Sequence, residues 1–436
     1  MLKRDITIQI IEWEKNKERK PLIIEGARQV GKTFIIEDFI YNHSKNKYIK
    51  INFILQKKAK LIFEGDLSSD VIKKNLLNFF GLNAFEGEII YLFLDEIQEC
   101  PEAITALKFL QVNSGFSIIC SGSLLGISYN KVKSFPVGYV ERLTLNPLSF
   151  KEFCYALNKG DLLKEALLAY SDNIPINPLI HETLSYTLRE YIVVGGMPEV
   201  INKYCENSVL YDINLIQNRI INDYRNDIAK YSQSTTKIKA REIFDSIPSQ
   251  LAKDNKKFQY KHVSKNARSS SHESSISWLI EAGLVLPAYL LTNIQKPLNA
   301  YMSNEHFKIY LNDIGLLSSM YEIDSQNEIL NGELGIAKGA IYENLVAQML
   351  YNLKYKLSYY QTLTLEIDFI INYHSFVTAI EVKSGTNTKS KSLSTLFNAK
   401  MINKGIRVSS KNFGKSQNLL IIPFYLLEEI LRLNFS

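Results

Sequence analysis

The segment Gly26-Ala27-Arg28-Gln29-Val30-Gly31-Lys32-Thr33 constrains this chain more than any other. It follows an apolar run, Leu22–Glu25, and opens a stretch of helical character, Lys32–Tyr41. GxxxxGK[ST] between a strand and a helix is a phosphate-binding loop. Gly26 and Gly31 let the backbone curl until its N–H groups face phosphate oxygens, and the helix N-terminus adds positive potential there. In such a loop Lys32 reaches the β- and γ-phosphates and the Thr33 hydroxyl ligates Mg²⁺, so ATP and Mg²⁺ are the expected cofactors.

Later strand ends fit the same site. Ile89–Leu94 reads as a buried strand ending in Asp95-Glu96. An acid there can hold Mg²⁺ (Asp95), and its neighbour can polarise the attacking water as general base (Glu96). With Lys32, Glu96 forms the expected catalytic pair. The strand Phe116–Cys120 runs into Ser121-Gly122-Ser123, where Ser121 or Ser123 could sense the γ-phosphate; a plain hydroxyl turn is the competing reading. Arg142 is open to two readings, an arginine finger across a subunit interface or a surface arginine. Strands alternating with helices predict an α/β fold with a parallel sheet.

Composition sets the outer limits. The chain has 436 residues, enough for two to four domains, and a net charge of +6, which permits nucleic acid without demanding it. The cysteines Cys100, Cys120, Cys154 and Cys205 form no CxxC pair, so neither a zinc site nor a disulfide framework is expected. The most apolar runs, Ile89–Leu94 and Leu419–Leu427, are too short to span a bilayer. No membrane partner and a soluble, cytoplasmic chain are therefore expected.

Near the C-terminus, Glu381-Val382-Lys383 places Glu and Lys on one face of a strand, with Asp368 on the strand before it. A hairpin turning at His374–Ser375 sets Asp368 opposite Glu381, leaving Ile367, Phe369, Ile371, Ile380 and Val382 for a buried face. Opposed carboxylates destabilise a strand pair unless a cation lies between them. The expectation is a second Mg²⁺ at Asp368 and Glu381, with Lys383 beside it and Glu343 of the helix Ile341–Leu353 near enough to help.

A basic stretch, Lys253, Lys256, Lys257, Lys261, Lys265 and Arg268, precedes a helix at Glu273–Ala282 and a strand. That order suits a winged helix facing phosphates; a solvated charged face or a protein-contact module is the alternative. DNA or RNA, a protein partner and a homo-oligomer all stay open as partners.

GARQVGKT, LFLDEIQECP, SGSLLG, FPVGYVERLTLNPLSFKEF, YIVVGGMPEV, FKIYLNDIGLL and EIDFIINYHSFVTAIEVKSG together resemble a family of AAA-type P-loop ATPases of bacteria and archaea. Its members carry an uncharacterised C-terminal domain similar to restriction-endonuclease-like nucleases. The resemblance implies an ATPase core over 1–150, a helical region over 151–240, a winged-helix-like segment over 241–325 and a nuclease-like domain over 326–436. It implies an ATP-dependent switch or motor coupled to that domain, with an active ATP-dependent nuclease and a non-catalytic nucleotide-gated scaffold as rivals.

Overall fold

A computed structural model of the chain describes residues 2–44, 48–81, 90–110, 116–123, 135–231, 234–253, 255–263, 269–333, 335, 338–385, 391–416 and 418–433. Lys265 and Arg268 of the basic stretch lie outside these residues, as do Ile89 and the Leu124–Gly126 end of SGSLLG. The described chain divides into two compact units: Arg4–Asn146 with Glu281–Gly283, and the remainder.

The first unit is built on a parallel sheet. Its described strands are β1 (Leu22–Gly26), β2 (Tyr48–Asn52), β3 (Ile90–Asp95), β4 (Phe116–Ser123) and β5 (Glu141–Thr144), in the order β2-β3-β4-β1-β5. Near-continuous apolar runs such as Leu22-Ile23-Ile24 and Leu92-Phe93-Leu94 suit strands covered on both faces, and these six side chains are fully buried. The third strand ends at Asp95 rather than at the expected Leu94, so that Asp95 closes β3 rather than following it. The helix after the loop runs Lys32–Phe39 and passes into a wider turn over Ile40–Ser44, ending the α-helix two residues before the expected Tyr41. Because β4 lies between β1 and β3, the carboxyl ends of all three strands converge on one site.

The second unit begins with helices, the first of which, Phe150–Ala156, starts in a reciprocal cap between Ser149 and Glu152. Its strands are β6 (Val285–Leu291), β7 (Met302–Leu311), β8 (Ser358–Gln361), β9 (Glu366–Ile367), β10 (Phe369–Tyr373), β11 (Phe376–Lys383), β12 (Lys404–Ser409), β13 (Gly414–Lys415) and β14 (Leu419–Pro423). One sheet runs β7-β6-β8-β9 and another β10-β11-β12-β14-β13. β6 pairs antiparallel with β7 and parallel with β8. The expected boundary at 325/326 therefore falls inside one hydrogen-bonded sheet.

The segments GGMPEV and LNDIGLL meet in this unit. Asp313 accepts hydrogen bonds from the Gly196 and Leu316 N–H groups at 2.6 and 2.9 Å. Gly195, at φ +77°, passes so close that a Cβ there would lie 2.3 Å from the Asp313 carboxylate and 2.8 Å from the Gly315 nitrogen. Only glycine fits that crossing.

Candidate functional site

The glycine loop turns as its spacing requires, with Gln29 at φ 65° and Gly31 at φ 94°. A Cβ on Gly26 would sit 2.2 Å from the Leu145 carbonyl oxygen, so the strand-to-loop step leaves no room for a side chain. Lys32 is buried, and its ammonium donates to the Gly26 and Ala27 carbonyls at 3.1 and 2.7 Å. Burial lowers its pKa to about 8, against the raising pull of Glu96 and Asp95; Arg28 lowers it further. The charge is held in place by the loop's own oxygens, which a phosphate would replace.

Asp95 is the hub of the site and is 1% exposed. Its Oδ1 accepts from the Thr33 hydroxyl at 2.9 Å and from the Ser121 hydroxyl; its Oδ2 accepts from the Asn52 amide at 2.9 Å and lies 3.6 Å from the Lys50 ammonium. Thr33 and Asp95 are 62 residues apart in sequence. Their meeting offers a hydroxyl and a carboxylate, hard oxygen donors of the kind Mg²⁺ takes. Glu96 follows in a left-handed conformation, φ 55°, with its N–H donating to Ser121 Oγ at 3.2 Å and its carboxylate accepting from the Gln98 amide. Ser121 thus ties Asp95 to Glu96 directly. Ser123, at the end of β4, pairs in register with Gly26. Ala27 and Val30 are buried under the loop, while Arg28 and Gln29 are exposed. Arg142 lies on β5, with its guanidinium 3.7 Å from Glu25 and 4.4 Å from the Phe135 ring centroid.

Sequence reading missed Asn52, Lys50 and Gln98. The signal was modest: Asn52 is a polar residue at the end of an apolar-alternating strand, at the level of Asp95 in the β2–β3 register.

The C-terminal carboxylates depart from expectation. The hairpin does turn at His374–Ser375, and Phe369 pairs with Ile380 as expected. The ladder stops one step short of Asp368 and Glu381, because the chain bends at Asp368 between β9 and β10. Asp368 instead accepts from the Val382 N–H at 2.7 Å. Glu381 lies 3.1 Å from Lys383 and 3.5 Å from Arg407, its neighbour on β12.

Glu343, on the helix Lys338–Asn352, is 1% exposed. It accepts from Lys308 of β7 at 2.8 Å, from the Tyr310 hydroxyl, and from Lys256. Lys308 also reaches Glu366 at 3.0 Å. Among the described residues no three metal-ligating side chains cluster as a metal site. At the expected Asp368–Glu381–Glu343 site, Lys308 and Lys256 pair with Glu343, and Lys383 pairs with Glu381. The single apolar face expected on the hairpin is corrected. Ile370, Val377 and Ala379, on the face assigned to the carboxylates, are buried in a core with Ile367.

Lys256, expected to face phosphate, is spent on Glu343. Lys257 is half-buried and Lys261 exposed. The helix expected over Glu273–Ala282 runs Ser269–Glu281 and is followed by β6.

A parallel sheet with this loop and acid defines an α/β P-loop domain. Residues 18–154 match the family described as AAA domain. Residues 185–327 and 338–427 match two families described as domains of unknown function, DUF8612 and DUF4143. The chain is 26% identical over 228 residues to Uncharacterized protein MJ1544 of Methanocaldococcus jannaschii, a match covering 52% of this chain and 44% of that protein. The chain thus spans less than half the length of that curated relative. Among solved structures it is similar to the Walker-type ATPase PABY2304 of Pyrococcus abyssi, with 12% identity, a TM-score of 0.45, and 73% of this chain and 96% of that one covered. It is also similar to Cdc6p of Pyrobaculum aerophilum, with 12% identity, a TM-score of 0.25, and 76% and 93% covered. No helix among the described residues is long and apolar enough to cross a membrane.

Proposed function

We propose that the P-loop unit binds ATP with Mg²⁺ and hydrolyses it, and that the chain works as an ATP-driven switch. The observation carrying this reading is the 2.9 Å hydrogen bond from Thr33 to Asp95, which joins the glycine loop to the acid at the end of β3. Thr33 and Asp95 would hold Mg²⁺, which when bound neutralises phosphate charge. Lys32 leaves its loop carbonyls to meet the β- and γ-phosphates. Glu96, steadied by Gln98 and Ser121, is the general base for water.

The output of the switch belongs to the second unit. Contact with DNA or RNA through Lys257 and Lys261 is part of the proposal; cutting is not, because Glu343 is already neutralised by Lys308 and Lys256. The test is MgATP turnover by the full chain, with and without single-stranded and duplex DNA or RNA. Turnover that needs Lys32 and responds to nucleic acid supports the whole reading. Absence of turnover in the wild type leaves a nucleotide-gated scaffold and overturns hydrolysis.

A further inference from the structure

In the second unit, away from the carboxylates, a cleft of about 280 Å³ opens where β11, β12 and β14 begin. Its wall includes Tyr170, Tyr373, His374, Lys404, Lys415 and Asn418, and no lining residue is acidic. Lys404 opens β12, Lys415 closes β13, and His374 sits in the β10–β11 turn, so three separate segments bring basic side chains to one cavity. Among the described residues neither lysine has an acidic partner in salt-bridge range. The Lys404 ammonium lies 4.6 Å from the Phe376 ring centroid, a contact that leaves its charge unneutralised.

The turn adds an independent observation. His374 and Ser375 are both left-handed, at φ 48° and 63°. A two-residue hairpin turn of this kind favours Asn-Gly, because a Cβ is strained there. His374 holds the position regardless, its ring 4.3 Å from that of Tyr373. Backbone strain of this sort concentrates at binding sites.

We propose that this cleft binds a phosphate monoester, held by Lys404, Lys415 and His374. Gathering like charges in a cleft is unfavourable until an anion lies between them, and a phosphate dianion accepts several charge-assisted hydrogen bonds at once. Half-buried Tyr170 and Tyr373 line the same cleft. The phosphate comes either from a small phosphorylated metabolite or from the 5′ end of a nucleic-acid strand.

The test uses the full chain carrying Lys32→Ala, so that binding at the P-loop is weakened. Calorimetric titrations use inorganic phosphate, ribose 5-phosphate, and one oligonucleotide with and without a 5′-phosphate. Binding is expected to weaken by about tenfold or more in Lys404→Gln/Lys415→Gln, the scale of lost charge-assisted hydrogen bonds. His374→Asn, which the turn accommodates, is expected to weaken it while keeping the fold. A preference for the 5′-phosphorylated strand over ribose 5-phosphate assigns the site to a strand end; the reverse assigns it to a small phosphomonoester. Failure of all the phosphate probes to bind, or equal affinity in the double variant, overturns the proposal.

Discussion

Lys308 and Glu343 form an ion pair at 2.8 Å in which each side chain is 1% exposed. Burial alone would raise the pKa of Glu343, but Lys308 and Lys256 outweigh it and bring it to about 2. Glu343, with Asp368 and Glu366, raises Lys308 above its usual value against the opposing effect of burial. Asp368, with no ammonium in salt-bridge range among the described residues, is pushed up to about 7 by burial and by the Glu343 charge, which outweigh the lowering by Lys308, Lys256 and the Val382 N–H.

Removing one member of this pair leaves a buried charge behind. Lys308→Met is expected to destabilise the chain by about 3–5 kcal/mol, the usual cost of breaking a buried pair, whereas Lys308→Met/Glu343→Leu recovers much of it. Urea unfolding of the three proteins checks this. Equal stability of Lys308→Met and wild type would mean that the pair is solvated.

The pair also sets a pH dependence. An acid whose folded pKa lies below its unfolded value stabilises the fold above the unfolded value and loses that contribution as pH falls. For Glu343 the window runs from 4.5 down to about 2. Across it, Glu343→Gln is expected to show a shallower loss of stability than wild type, read from urea midpoints at successive pH values.

The P-loop lysine gives a prediction of the opposite sign. Lys32 must be charged to meet phosphate, and its pKa in the free protein is about 8. MgATP affinity is expected to be flat below that pH and to fall above it by up to about tenfold per unit. Lys32→Ala should lose on the order of tenfold or more in affinity and also lose this pH dependence. Titration with a fluorescent ATP analogue between pH 7 and 9.5 reads both.

Glu96→Gln separates binding from chemistry. It should keep MgATP bound while slowing turnover by ~10²-fold or more. Wild-type turnover in this variant, measured as phosphate release, would place water activation elsewhere.

The basic segment divides into two roles. Lys257→Glu/Lys261→Glu is expected to weaken nucleic-acid binding and reduce its salt slope without changing stability. Lys256→Ala is expected to lower stability, because it uncovers part of the Glu343 charge. Binding isotherms at several salt concentrations and melting curves distinguish the two.

Much of the candidate nucleotide site was legible because its chemistry is local: the loop's glycines, lysine and threonine are contiguous, and Asp95-Glu96 close a buried run. The β10–β11 register was legible for a similar reason, as short strands around a two-residue turn leave little freedom. What stayed hidden depends on contacts distant in sequence. Lys308 is 35 residues from Glu343 and belongs to a strand that periodicity did not single out. Its one trace is a lysine interrupting the apolar run Phe307–Leu311, which in a covered strand signals a buried partner of opposite charge. Lys256 read as a phosphate contact because charge in sequence carries no direction.

The parallel pairing of β6 with β8 has a consequence for dissecting the protein. The two matched segments of unknown function end at 327 and begin at 338, yet the hydrogen bonds between Tyr289–Leu290 and Ser358–Tyr359 run across that gap. A fragment starting near Gly339 would carry β8 with a bare edge and Glu343 without either lysine. Sequence modules and folding modules are not the same objects here: scissors placed between the two segments separate paired strands and leave an open edge on each piece.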